Sequence, residues 1–448
     1  MSLLILAAAS QGVYIAILLL RNLKAQVVAF IPLALAAAVL YLIAVWLVFR
    51  RGQAGGQLSQ RRTLAFVFAA GLVFRATLFP LYPSLSDDLF RYRWDGKMQV
   101  AGYNPYLLAP ADPSLKHLRD QTYQAVNGKN YVAVYGPLSE SLFRWWYPVA
   151  AAPSSIYLSV LLMKVPMLAF DLGTALLLVR LLGLLGLPAL RVLVYWWSPI
   201  TVIEFAASGH NDSVAVFFLV LALVGWAGGE KSWSLVALAL STLSKLFAAF
   251  LWPVALARWM ERHRWRDLLW PVLCAVLVYW PFRAGLFNVV PGVSVYAGSW
   301  RNNDSLFGVF YAISGTQLGA SAAYGAAVAA VAGFLAGRGA PPLRAAFLIL
   351  GTVLACASNV FPWYLSWLLP LLAIFPNPAW LLLSALVFLS YNVLIGYGTL
   401  GVWRDDPFFQ WLEYVPFYAL LIGNWIVGQW RKEQESRRQG PTSNVGVA

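Results

Sequence analysis

Apolar runs of membrane-spanning length, roughly 17–25 residues, recur along almost the whole chain and limit what it can fold into. They lie near 2–20, 26–49, 63–82, 155–180, 191–207, 212–228, 267–283, 319–337, 343–360, 379–397 and 411–430, with a shorter run at 363–376. With 60% hydrophobic and 11% charged residues, there is too little polar surface to cover a soluble fold of this size. The expected fold class is an all-α polytopic membrane protein with about 12 transmembrane helices. The stretch Leu3 to Leu20 lacks a basic n-region and a small-residue cleavage site, so it is expected to be the first span rather than a signal peptide.

Basic residues punctuate these runs: Arg50/Arg51/Arg61/Arg62, Arg180/Arg191, Arg258/Arg262/Arg264/Arg266, Arg338/Arg344 and Arg431/Lys432/Arg437/Arg438. The positive-inside rule assigns these clusters to the cytoplasm. That explains the net charge of +14 without nucleic acid, for which a basic face with stacking aromatics would be needed. Two cysteines, Cys274 and Cys356, lie in apolar runs and define neither a disulfide nor a metal framework.

Counting crossings from these anchors puts 83–153, 208–212, 284–318, 357–362 and 398–410 outside. Glu230/Lys231 and the Arg258–Arg266 cluster both belong inside, yet only 233–257 separates them, too short to cross twice at about 1.5 Å per residue. The segment 233–257 is therefore expected to form a re-entrant helical hairpin broken near Ser244–Lys245; the competing reading is one span that breaks the charge rule. The expected organisation is a single transmembrane domain over 1–430, with an extracytoplasmic loop at 83–153 and a disordered basic cytoplasmic tail at 431–448.

Polar groups converge on the outward segments. Ser86–Tyr106 reads SDDLFRYRWDGKMQVAGYNPY, with adjacent Asp87 and Asp88 just past a span. Ionised neighbours in an interfacial pocket perturb one another, as a general base requires, while a helix N-cap accounts for one of the two. Glu204, His210, Asn211 and Asp212 lie at an outer turn, and charge at membrane depth needs a cavity or partner. No second histidine lies near His210, so spacing indicates no metal. Lys245 has no local carboxylate in sequence, and an anionic group such as phosphate would supply its missing charge, with Arg301 as a second contact. The alternative is a lysine that snorkels to the surface. Lys164 and Asp171, two turns apart on one helix face, are expected to be structural partners.

Five segments in order, SDDLFRYRWDG with AGYNPY (86–106), YGPLSE (135–140), EFAASGHND (204–212), LSKLF (243–247) and PWYLSWLLP (362–370), resemble polyprenyl-phosphate-sugar-dependent glycosyltransferases of the GT-C class. The likeness is greatest to bacterial mannosyltransferase-like members and more distant to the first GPI mannosyltransferase. It covers about 63 to 370, and departs in having two extra spans before the acidic loop.

The resemblance implies a hexosyltransferase in the bacterial plasma (inner) membrane with an extracytoplasmic active site. It would move a hexose, mannose by likeness, from a polyprenyl-phosphate donor to a glycolipid or glycan acceptor with inversion. It makes Asp87 or Asp88 the base and gives the leaving phosphate to Lys245 and Arg301. Arg91, Tyr103, Asn104, Tyr135, Glu140, Glu204, His210, Asn211, Asp212, Trp363 and Tyr364 would form the sugar or acceptor pocket. No redox cofactor is required, since the donor is already activated; a divalent metal stays open, although ligand spacing does not indicate one. Two other classes fit this pattern: a lipid-linked sugar flippase or other transporter, and a binding or assembly subunit without catalysis.

Overall fold

The computed structural model describes residues 2–51, 57–229, 231–261, 265–288 and 301–439. Among them the protein is all-helical; the one extended pairing is a bridge between Asn302 and Asn359. Five helices are long and apolar enough to cross a membrane: Val27–Arg50, Ile156–Leu184, Trp265–Gly285, Gln317–Gly337 and Pro378–Gly398. Leu3–Leu19, Pro199–Ser208, Asp212–Ala227, Trp233–Ser244 and Pro342–Cys356 are apolar but shorter. This is a membrane protein, with five helices of spanning length where hydropathy gives about twelve crossings.

The run 191–207 is one place where hydropathy and the observed helices part. It is not one helix but a series of short pieces, broken at Pro188 and Ser198–Pro199 and ending in a π-turn, Val202–Ser208. Every residue from Val192 to Val216 is buried. Its hydropathy records removal from water, and here protein rather than lipid removes it.

Arg75 organises that core. Its guanidinium meets Asp171 at 2.5 Å, donates to the carbonyls of Gly71 and Trp196, and stacks on the Trp196 ring at 3.5 Å. The expected Lys164–Asp171 partnership is therefore corrected. Lys164 donates instead to the backbone carbonyls of Phe79, Leu81 and Ala206. A cation at the ends of broken helices satisfies carbonyls that have lost their helical partners.

The loop 83–153 folds on itself. Helix Asp88–Val100 packs on helix Pro137–Ala151, and two 3-10 turns between them are capped by Asp112 and Asp120. Leu89, Phe90, Tyr92, Trp94, Met98, Leu115 and Phe143 form a buried cluster that Val160, Met163, Met167 and Val214 complete from outside the loop. Asp120 clamps the two halves, taking Arg93 and Lys97 at 2.9 Å each. Burial opposes its charge, but hydrogen bonds from Lys97, Arg93 and Thr122 hold its carboxyl well below the usual range.

Helix Trp233–Ser244 stops at Lys245, whose backbone is extended (φ −155°, ψ 133°), before a 3-10 turn Leu246–Leu251 and helix Trp252–Glu261. The chain breaks at the residue pair that the sequence marks. The last helix, Pro407–Gln439, continues beyond residue 430, where the sequence places the start of the tail. Glu230, Arg262, Arg264 and residues 440–448 lie outside the described residues.

Candidate active site

A cavity of about 710 Å³ draws together residues from 85–136, 244–250 and 353–367. Asp87, Asp88, Arg91, Tyr135, Lys245, Trp363 and Tyr364 line it. Lys24, Asn127 and Lys129 stand among its polar residues, while Leu246, Phe247, Phe250, Tyr324, Val353 and Ala357 supply apolar wall.

Asp88 opens helix Asp88–Val100, and its side chain is 23% exposed. Its Oδ1 accepts from Asn127 Nδ2 at 2.7 Å. Burial raises its carboxyl above the usual range, against the lowering effects of Lys245 and Asn127. Asp87 occupies the N-cap position without a side-chain capping bond, so capping does not account for it. Burial raises it too, with Lys24 and Lys129 opposing.

Lys245 reaches the cavity from the helix break. Its ammonium is not missing a carboxylate: Asp212 takes it at 2.8 and 2.7 Å through its two oxygens. Asp212 also accepts from Trp367 Nε1 at 2.6 Å. The Lys245 ammonium lies 4.8 Å from the centre of the Tyr364 ring, close enough for a cation–π contact. The expectation of an unpaired lysine is corrected, because a sequence separation of 33 residues hid its partner. The side chain remains 22% exposed, whereas Asp212 is fully buried.

Beneath the lining lies a buried polar layer. Asn211 accepts from the Tyr92 hydroxyl at 3.0 Å and donates to Ser139 at 3.2 Å; Ser139 in turn donates to the Ser244 carbonyl at 3.1 Å. Glu204 accepts from the Tyr391 hydroxyl at 2.7 Å. His210 stacks on Trp363 at 3.8 Å, and Trp363 on Phe361 at 4.5 Å. The left-handed Gly209 (φ 77°) makes the turn; a Cβ there would meet Leu89 at 2.9 Å and Lys164 at 3.0 Å.

The family model for alpha-(1->6)-mannopyranosyltransferase, N-terminal domain, matches residues 3–261, more than half of the chain. The chain belongs to this family. It is a mannosyltransferase of the membrane. No curated protein matches it. The matched part of the mannosyltransferase includes Asp87, Asp88, Glu204, His210, Asp212 and Lys245. Trp363, Tyr364, Trp367 and Tyr391 come from beyond it.

Other expected site residues lie elsewhere. Arg301 pairs with Asp304 at 2.8 Å, lies over the Tyr311 ring and is not among the cavity-lining residues. Tyr103 packs in the loop cluster, and Asn104 accepts from the Tyr106 backbone at 2.9 Å. Glu140 is fully buried beside Asp95, where Gln99 donates to it at 2.8 Å. Burial, then the Asp95 charge, raises its carboxyl well above the usual range. Asp95 also holds Arg91 at 2.8 Å, which aims that cation at the Gly128 and Tyr131 carbonyls. Asn127, Trp367, Tyr391 and Lys24 escaped the sequence reading. Trp367 stands within the quoted PWYLSWLLP segment; the other three belong to no motif. Among the described residues no three His, Cys, Asp or Glu side chains converge as metal ligands.

Proposed function

We propose that the mannosyltransferase moves mannose from a polyprenyl-phosphate donor to a hydroxyl of an extracytoplasmic glycolipid or glycan, with inversion at the anomeric carbon. One observation carries this reading: Asp88 and Lys245 line the same cavity, which also has an apolar wall. A lipid phosphate needs all three kinds of surface at once. The wall from Leu246 to Ala357 suits the prenyl chain, Lys245 the phosphate and Asp88 the acceptor hydroxyl.

In the proposed reaction Asp88 takes the proton from the acceptor hydroxyl as its oxygen bonds to the anomeric carbon. The bond from that carbon to the phosphate oxygen breaks, and its electron pair leaves with the lipid phosphate. Lys245 stabilises the charge that develops there, the place where preorganised electrostatics act most strongly. Asp88 is favoured over Asp87 because its carboxyl is the one held by Asn127 and acted on by the Lys245 charge. Trp363, Tyr364 and Tyr135 flank the sugar. The site faces the outside of a bacterial plasma membrane, 233–257 is re-entrant, and hydropathy's remaining runs complete about twelve crossings.

The test is transfer of labelled mannose from polyprenyl phosphomannose by purified protein in liposomes. Asp88→Asn lowers kcat by about 10²–10⁴-fold, the usual contribution of a general base, and Asp87→Asn by less. Wild-type activity is lost on acidification at a pH above that expected for an exposed aspartate, because a protonated Asp88 cannot accept the hydroxyl proton. Full activity in Asp88→Asn removes it as the base. Lipid translocation without transfer replaces the enzyme reading with a flippase.

A further inference from the structure

The transfer chemistry leaves His210 without a role, yet its surroundings are specific. The ring is 1% exposed and stacks on Trp363. Its Nδ1 lies 3.6 Å from Asp88 Oδ2, and its Nε2 lies 3.5 Å from Glu204 Oε2. Both ring nitrogens and Glu204 Oε2 are buried without a hydrogen-bond partner. The second oxygen of each carboxyl is already engaged, Asp88 with Asn127 and Glu204 with Tyr391. Buried polar groups seldom stay unmatched, and these face one another.

An imidazole between two carboxyl groups has few ways to satisfy both. The charged groups around it are Asp88, Glu204, Asp212 and Lys245, with the Tyr391 hydroxyl behind Glu204. Burial, reinforced by the Lys245 charge, pushes the ring well below its ordinary range, toward the neutral form. A neutral imidazole has one N–H and one lone pair. It donates to one carboxylate and accepts from the other group, which must then be the protonated acid. Asp88 has to be ionised to act as base, so the N–H belongs on Nδ1. Glu204 is then the acid, donating its O–H to Nε2.

We propose that His210 is a positioning residue for the base: as the Nδ1–H tautomer, fixed by a protonated Glu204 and by Trp363, it orients Asp88 and keeps it ionised. This rests on reading Asp88 as the base. The contacts of 3.5–3.6 Å shorten to hydrogen bonds when donor and acceptor fill the cavity, as catalytic contacts commonly do.

Two variants separate this role from packing. His210→Asn keeps an N–H near the Nδ1 position but loses the ring; His210→Phe keeps the stack and loses the N–H. In the mannose-transfer assay His210→Phe loses about 10–100-fold in kcat with little change in donor KM, and its acid limb moves to higher pH, because an ionised carboxylate without its donor is harder to keep charged. His210→Asn stays the more active of the two, with an acid limb near that of wild type. A purely structural ring predicts the reverse order. The overturning results are a His210→Phe at least as active as His210→Asn, or an unmoved acid limb in His210→Phe. The chain has only three histidines, so ¹⁵N spectra of wild-type protein report the tautomer independently of any variant. An Nδ1–H signal for His210 supports the role, and an Nε2–H signal overturns it. Asp88→Asn, assayed alongside, keeps the two readings apart. If it is active, the base and the role of His210 fall together. If it is inactive while the acid limb of His210→Phe stays in place, the role of His210 falls alone.

Discussion

Lys245 shares the Asp212 carboxylate with Trp367 and points the rest of its ammonium at the cavity. In the proposed reaction, removing it takes away one charge-assisted contact to the donor phosphate, a contact of the class that contributes about 1.5–3 kcal/mol. Lys245→Met therefore raises donor KM by about tenfold or more while acceptor KM changes little, as steady-state kinetics with each substrate varied will show. An unchanged donor dependence removes Lys245 from the phosphate site. Lys245 was conspicuous in sequence because LSKLF interrupts an apolar run, and Asp87, Asp88 and His210 because they cluster with other polar residues just beyond the ends of apolar runs. Its pairing was not legible. Asp212 sits across a helix and a chain reversal, and sequence spacing describes only neighbours on one helix. For the same reason Asp171 looked like a partner for Lys164, when its true partner, Arg75, belongs to another helix. Glu140 is the opposite case: a loop carboxyl that suggested a site, but lies buried against Asp95 and Gln99.

Two elements fix the distance between base and cation. Helix Pro137–Ala151 begins where Gly136 meets the helix break: a Cβ on Gly136 would lie 2.1 Å from the Leu243 carbonyl oxygen and 3.0 Å from that of Ser244. Both are backbone atoms, which cannot swing aside. Gly136→Ala must therefore push the loop from the break, at about 1–3 kcal/mol for an overpacked contact. It lowers the thermal unfolding temperature in detergent and reduces transfer activity together. Gly183→Ala, where nothing lies within 4 Å, leaves both near wild type. Equal behaviour of the two variants removes the contact as a spacer. The break itself was visible as a polar pair within an apolar stretch. The interior course of 191–207 was not, since a buried segment and a lipid-facing one have the same hydropathy.

At the scale of the molecule, the positive-inside rule makes a prediction that labelling tests. With Cys274 and Cys356 replaced, a cysteine at Ser59 reacts with an impermeant reagent only from the cytoplasmic side, and one at Lys129 only from outside. Labelling of both from the same side overturns the orientation. The cavity also draws on two parts of the chain. The segment that matches the family supplies Asp88 and Lys245, with His210 and Asp212 buried behind them, and the remainder supplies Trp363, Tyr364 and Trp367. In the proposed reaction, proton and charge handling therefore reside mainly in one part, and much of the aromatic wall in the other. On the proposed reading, this division gives the scaffold room to diversify: changes along the aromatic wall retune which sugar or acceptor is admitted and leave the proton and charge handling in place.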